Sequence, residues 1–255
     1  MNSIISNKKN NNIKIWAVIV WLLIWQLLSM YLDSEILLAS PFKVIKCLAG
    51  MLGVLSFWSS ICFTFVRICV GLLIANALGI ILGALSYKST SFKDFISLPI
   101  AVTKATPVAS FIILTLIWIP SRNLSAFISF LMSFPVIYTN VLQGLNEMDN
   151  QILEMAQVFK IPFSRRLRYI YIPQVIPYYR AAAALSNGLC FKAGIAAEII
   201  GLPQGSIGER LYQAKIYLNT PELFAWTIVI IVLSIIFNKA FMAMVNFTMN
   251  RFQGK

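Results

Sequence analysis

Six apolar stretches divide this chain: Ile15 to Leu32, Phe57 to Tyr87, Phe95 to Ile119, Leu124 to Leu142, Ile176 to Ile200 and Leu223 to Phe247. A helix needs about 20 apolar residues to cross roughly 30 Å of hydrocarbon, and each stretch is of that order. No water reaches the backbone there, so such stretches must satisfy their own amides and carbonyls as helices. The sequence therefore predicts an all-α, polytopic membrane bundle of six transmembrane helices. The fifth is the weakest, because Arg180 and Lys192 interrupt it. Composition agrees: 59% of the residues are hydrophobic, 12% are charged, and mean hydropathy is +0.79, outside the range of soluble domains.

The first stretch resembles a signal peptide, with Lys8, Lys9 and Lys14 ahead of it, but it is a full span with Trp16 and Tyr31 at its ends. A signal core runs about 7 to 15 residues, so an uncleaved first helix is expected. Residues 1–14 then form a cytoplasmic tail, and 15–255 a single membrane domain with its core over 57–247. With the N-terminus inside, the inner face receives Lys8, Lys9, Lys14, Lys88, Lys93, Lys160, Arg165, Arg166, Arg168, Arg251 and Lys255. The outer face receives Lys43, Lys46, Arg122, Arg210 and Lys215. This imbalance predicts that both termini are cytoplasmic. It also accounts for the formal charge of +12 without a nucleic-acid partner, since no basic patch is interleaved with stacking aromatics.

Ala75, Gly79 and Gly83 recur on one face of the second stretch and predict close helix packing. Cys47, Cys62, Cys69 and Cys190 lack ligand or disulfide spacing and read as packing residues. Intramembrane charge is more informative, because each ionised group at mid-span costs about 2.5–3.5 kcal/mol unless it pairs, snorkels or faces water. Arg67, Lys104, Lys192 and Glu198 qualify. Lys104, beside Pro107, is expected to face the bundle interior, either in a helix contact or along a path or gate. Arg67 and Glu198 are further candidates for that path, with a neighbouring helix or Arg210 as their alternative partners.

The cytoplasmic segment over 147–173 departs from this pattern. Asp149 suits an N-cap, and Ile152, Met155 and Phe159 fall on one face of a short helix that Pro162 ends. A second helix should follow, with Pro173 and Pro177 near the start of the fifth span. A basic amphipathic segment of this kind also suits anionic lipid, so membrane lipid is an expected partner.

Glu154, Met155 and Ala156, then Lys160, then Ile170 to Pro173, resemble the Glu-Ala-Ala loop of ABC importer permeases, the binding-protein-dependent inner-membrane components. That loop reads Glu-Ala-Ala, Gly, Ile-x-Leu-Pro at the same spacing. Met155, Lys160 and Ile172 replace Ala, Gly and Leu. The stretches "LLASPFKVIKCL", "TKATPVAS" and "AAEIIGLPQGSIG" are similar to the nitrate, sulfonate, taurine and bicarbonate subgroup.

The resemblance implies a type I ABC importer permease fold, a second copy of the chain, a separate ABC ATPase subunit and an extracytoplasmic substrate-binding protein. It also implies that the loop is a coupling helix docking in the ATPase through Ile152, Glu154, Met155, Ala156, Phe159, Lys160 and Arg165. Glu154 is expected to pair with the partner or to brace the turn against Arg165. A left-handed backbone at Lys160 would cost about 1–2 kcal/mol, so the turn there is expected to be rebuilt around Pro162 or to dock differently.

Ser206 and Glu209 suit a capping box, with Ile207, Leu211, Ala214 and Leu218 on one face of an external helix, either a lid or an interfacial anchor. The chain has no His, no G-x-S-x-G and no phosphate-binding loop. It is expected to be no enzyme, to need no cofactor or metal, and to depend on ATP hydrolysis in its partner. A channel or gradient-driven transporter, or a scaffold without an ATPase, stays open as an alternative. The cargo is expected to be a small anion or related solute.

Overall fold

In the computed structural model, residues 15–252 are described, so the expected 1–14 tail lies outside the described residues. Within them every regular element is helical. In order these are α1 (Ile15–Leu32), α2 (Pro41–Leu52), α3 (Leu55–Lys88), α4 (Thr90–Ala105), α5 (Val108–Thr115), α6 (Ser121–Asn146), α7 (Asn150–Val158), α8 (Phe163–Arg166), a π turn (Leu167–Tyr171), α9 (Ile172–Gly201), α10 (Ile207–Ile216) and α11 (Thr220–Phe252). Four unbroken helices are long and apolar enough to cross a membrane: α3, α6, the continuous run from Phe163 to Gly201, and α11.

The remaining two expected spans differ from simple helices. α1 is apolar but short, 18 residues. The stretch Phe95 to Ile119 is not one helix: α4 and α5 meet at a bend of 107°. Pro107 causes it, because a residue before proline is driven out of the helical region, and Thr106 is extended at φ −87°, ψ 134°. Proline also has no N–H to continue the ladder. The count that survives is four whole spans, a fifth if the bent pair is one, and one short apolar helix.

α6 lies at the centre, packed along α3 on one side and α9 on the other. The expected small-residue ridge is the α3–α6 seam and begins a turn earlier than expected, so that Gly71, Ala75, Gly79 and Gly83 are all buried. At Gly71 the approach is backbone to backbone: a Cβ there would overlap the Ala126 carbonyl oxygen. Without a hydrophobic drive between helices in lipid, this closeness gains van der Waals contact that larger residues would prevent. On the other side Gly194 of α9 abuts Ser129 and Ile68. Polar side chains tie the same helices together. Ser129 donates to the Cys190 carbonyl at 3.0 Å, Tyr138 to Ser86 at 2.9 Å, and Tyr179 to Asn76 at 2.7 Å.

The other end of the bundle is closed by short helices. Ser40 caps α2, which packs with α11 around Val44 and Ala225. α10 lies across α9 and α11, with Ile207, Leu211 and Ala214 buried. Of the expected capping box the Ser206 half is present. Ser206 accepts from the Glu209 amide at 3.0 Å, and the Glu209 carboxylate reaches past the cap to the Gly205 amide at 2.6 Å. Leu218 does not share the buried face; it follows the end of α10 in a left-handed conformation (φ 54°) and is exposed.

Candidate coupling segment and intramembrane polar sites

α7 starts where the Asp149 side chain accepts a hydrogen bond from the Gln151 amide at 2.8 Å. It divides its apolar residues between two faces. Leu153 packs against the bundle with Met148, Leu145 and Val175, and Ala156 is fully buried. Outward stand Met155, Val158 and Phe159, which are 48%, 78% and 72% exposed, joined by Phe163 at 64%. Ile152, expected to share the face of Met155 and Phe159, is only partly buried. Val158 and Phe163 were the missed members; their signal was an apolar side chain beside Phe159 and just beyond the Pro162 stop.

The end of α7 is a Schellman turn. The Lys160 amide donates to the Gln157 carbonyl at 2.9 Å and the Ile161 amide to the Ala156 carbonyl at 3.0 Å. Lys160 has φ 49°, the left-handed position that glycine favours. The turn is therefore not rebuilt around Pro162; lysine occupies the glycine geometry, at a cost of about 1–2 kcal/mol. Pro162 then caps α8.

The expected second short helix runs without interruption into α9, through the π turn. In an α-helix the Pro173 ring would meet the Tyr169 carbonyl, and the widened turn, with the Ile172 amide donating to Leu167, makes room for it. Two side chains fasten the entry of α7 to α9. Gln174 accepts from the Asp149 amide at 3.2 Å, and Tyr178 donates to Glu147 at 3.0 Å. Hydrogen bonds from Gln143 and Tyr178 hold the Glu147 carboxyl below the ordinary carboxylate range. The start of α7 is thereby fastened to the bases of α6 and α9. Glu154 and Arg165 are both exposed and do not pair; among the described residues the ion pair is Lys43 with Glu35.

The intramembrane charges separate into two groups. Glu198 is fully buried, and its Oε2 accepts from the Thr64 hydroxyl at 2.7 Å and the Gly208 amide at 3.3 Å. Thr64 in turn accepts from the Ile207 amide at 3.0 Å. Glu198 and Thr64 thus close the first turn of α10 onto α9 and α3, with a carboxyl group at a helix N-terminus. Gly208 permits it, since a Cβ there would run into the Glu198 backbone and come within 2.6 Å of the Ile199 nitrogen. The expected alternative partner, Arg210, makes no bond to Glu198. Arg67 is held by the Arg122 carbonyl, by the Phe63 carbonyl at 3.2 Å and by the Phe63 ring 3.5 Å away, within electrostatic reach of Glu198.

Lys104 and Lys192 form the second group. Lys104 is exposed in the last turn of α4, next to the break, and does not point into the protomer's interior as expected. Lys192 is exposed on α9 in a stripe with Ala181, Ala184, Leu185 and Leu189, and Gly188 on that stripe has nothing within 4 Å of where a Cβ would stand.

The chain matches the family described as binding-protein-dependent transport system inner membrane component over residues 75–253. It is similar to a protein named as an aliphatic sulfonates transport permease, SsuC, of Bacillus subtilis, at 21% identity over 81% of this chain and 75% of the relative. A nitrate import permease protein, NrtB, of Synechococcus elongatus is 25% identical over 76% of this chain and 73% of its own length. An ABC transporter permease protein of Methanocaldococcus jannaschii is 23% identical over 91% of this chain and 89% of its own.

Proposed function

The chain belongs to the binding-protein-dependent transport system inner membrane component family and is a multi-pass permease subunit of an ABC importer, and from that premise we propose that α7 is the handle by which an ABC ATPase drives it. The carrying observation is the division of α7 into two apolar faces. One is packed into the α6–α9 base, and the other leaves Met155, Val158, Phe159 and Phe163 uncovered beside a basic segment. An amphipathic helix with its outer face free suits an apolar groove on a partner. Glu154 and Arg165 flank that face and form no ion pair among the described residues, so they are available to a partner's charges.

Both termini are cytoplasmic in this reading, supported by the basic imbalance between alternate loops. α10 and its Glu198–Thr64 clamp then lie at the outer mouth, where an extracytoplasmic binding protein delivers cargo. Two copies of the chain enclose the path. Facing lipid, Lys104 and Lys192 would each cost about 2.5–3.5 kcal/mol, and a water-filled path between two copies removes that cost. Lysines there favour an anion, in keeping with relatives named for aliphatic sulfonates and nitrate. Arg67 and Glu198 act behind the path as fixed parts of the gate. ATP-driven closure moves both handles together, and the α6 and α9 bases carry the motion to the spans, giving alternating access.

The test is to tag the full-length chain, extract it from its native membrane in mild detergent, identify the co-purifying proteins and measure the mass. A dimer of this chain with ATPase subunits in equal ratio supports the reading. A lone chain that transports without any nucleotide-binding partner overturns it.

A further inference from the structure

Between α3, α9 and α11 lies a cleft of about 430 Å³, walled by Leu73, Ile80 and Ala84 of α3, Val175 of α9, and Phe241 and Met244 of α11. Of its three polar-tipped side chains, Tyr171 stands at one end, and Asn76 and Tyr179 are already satisfied. Tyr179 donates to Asn76 at 2.7 Å, and Asn76 donates to the Leu72 carbonyl at 2.8 Å. Little is left to hold water or a polar solute, so the guest must be apolar.

The length of the cleft narrows the choice. From Leu73 to Ala84 the α3 wall runs about 16 Å, at 1.5 Å per residue. That is close to half of the roughly 30 Å hydrocarbon thickness, the depth of one leaflet. One end stops at Leu167 and Tyr171 of the π turn. Tyr171 is itself an aromatic of the kind that marks a membrane interface. The same end is basic. Arg166 and Arg168 flank Leu167, and the buried Nε of Arg166 has no hydrogen-bond partner.

We infer that this cleft is a binding site for one anionic phospholipid of the cytoplasmic leaflet, an acyl chain lying along α3 and the phosphate at Arg166 and Arg168. An apolar slot one leaflet deep, with two arginines beside its head-group end of which Arg166 keeps an unpartnered Nε and Arg168 lies over the Tyr169 ring 5.7 Å away, matches both halves of such a lipid. The leaflet assignment rests on the orientation proposed above; the site itself does not. Because Leu167 and Tyr171 line it, a bound lipid braces the turn that joins the α7–α8 segment to α9. Import is accordingly lipid-dependent.

The test is native mass spectrometry of the full-length chain in mild detergent, titrated with phosphatidylglycerol or with phosphatidylcholine of the same acyl chains. One phosphatidylglycerol per chain should be retained. Two arginines near the head group give a preference over phosphatidylcholine of roughly thirtyfold. Ala84→Trp, which fills the slot, should abolish retention of both lipids. The pair Arg166→Gln and Arg168→Gln leaves the slot open and should erase only the preference. Equal retention of the two lipids by the unaltered chain, or retention unchanged in both variants, overturns the inference. So does an Ala84→Trp chain that loses a second copy of itself rather than a lipid.

Discussion

The α3–α6 seam offers a graded test of how this bundle is held together. Alanine at Gly71 would place a Cβ in overlap with the Ala126 oxygen and 3.0 Å from the Ala126 carbon and the Phe130 nitrogen, all backbone atoms that cannot swing aside. At Gly79 the same methyl meets the Ile137 side chain at 2.8 Å, and at Gly83 it meets Val141 at 3.1 Å. At Gly50 in α2 nothing lies within 4 Å. Overpacking costs about 1–3 kcal/mol, and replacing a helical glycine by alanine returns about 1 kcal/mol in propensity. Gly71→Ala should thus lose about 2 kcal/mol, Gly79→Ala about 1, Gly83→Ala close to none, and Gly50→Ala should gain up to about 1. In a thermal melt of detergent-purified chain, about 2–4 °C per kcal/mol puts Gly71→Ala some 4–8 °C below the unaltered chain. If Gly71→Ala melts with the unaltered chain, or if Gly83→Ala falls as far as Gly71→Ala, close backbone approach is not what sets the seam.

Lys160→Gly should relieve about 1–2 kcal/mol of left-handed strain against about 0.5–1 kcal/mol of added chain entropy, raising the melting temperature slightly, while Lys160→Ala leaves it unchanged; a fall with glycine would exclude the Schellman turn. Thr64→Val removes the donor to a buried carboxylate and strands the Ile207 amide, a loss of about 3 kcal/mol that should appear as faster hydrogen exchange in the first turn of α10, whereas protection equal to the unaltered chain would show that the clamp does not hold that helix. Replacing Lys104 and Lys192 together by glutamine withdraws about 1 kcal/mol of attraction each, so uptake of nitrate or of a simple aliphatic sulfonate by the reconstituted importer should fall roughly thirtyfold with ATP hydrolysis retained; unchanged uptake of both anions would remove these lysines from the path.

Four of the six expected spans were legible because lipid leaves the backbone no alternative to helix, and apolar length locates them. The α4–α5 break was only half legible: Pro107 was visible as a disruption, but how far the chain turns depends on where α5 finds its packing against α6 and α9. For Glu198 the sequence offered a charge and an approximate depth. Its partner could not be read, because Thr64 comes from a helix far away in the chain and the two amides from a turn beyond it. In α7 the helical period was clear, yet period alone does not say which apolar face turns inward. Ala156, small enough to lie flat on the bundle, decides that and sends Val158 and Phe159 outward. Lys160 is the converse case: the family's glycine position predicted strain, with either a rebuilt turn or a different docking geometry, and two backbone hydrogen bonds hold the lysine in the left-handed geometry without rebuilding the turn.

The coupling role of α7 is tested most directly by a photo-cross-linking amino acid placed at Val158 in the tagged full-length chain, activated in its own membrane, with Leu153 as the inward-facing control. The account predicts that position 158 captures a nucleotide-binding ATPase subunit, identified by its peptides, and that position 153 captures none. Capture of lipid or of this chain alone at 158, with an active importer in the same membrane, would contradict it.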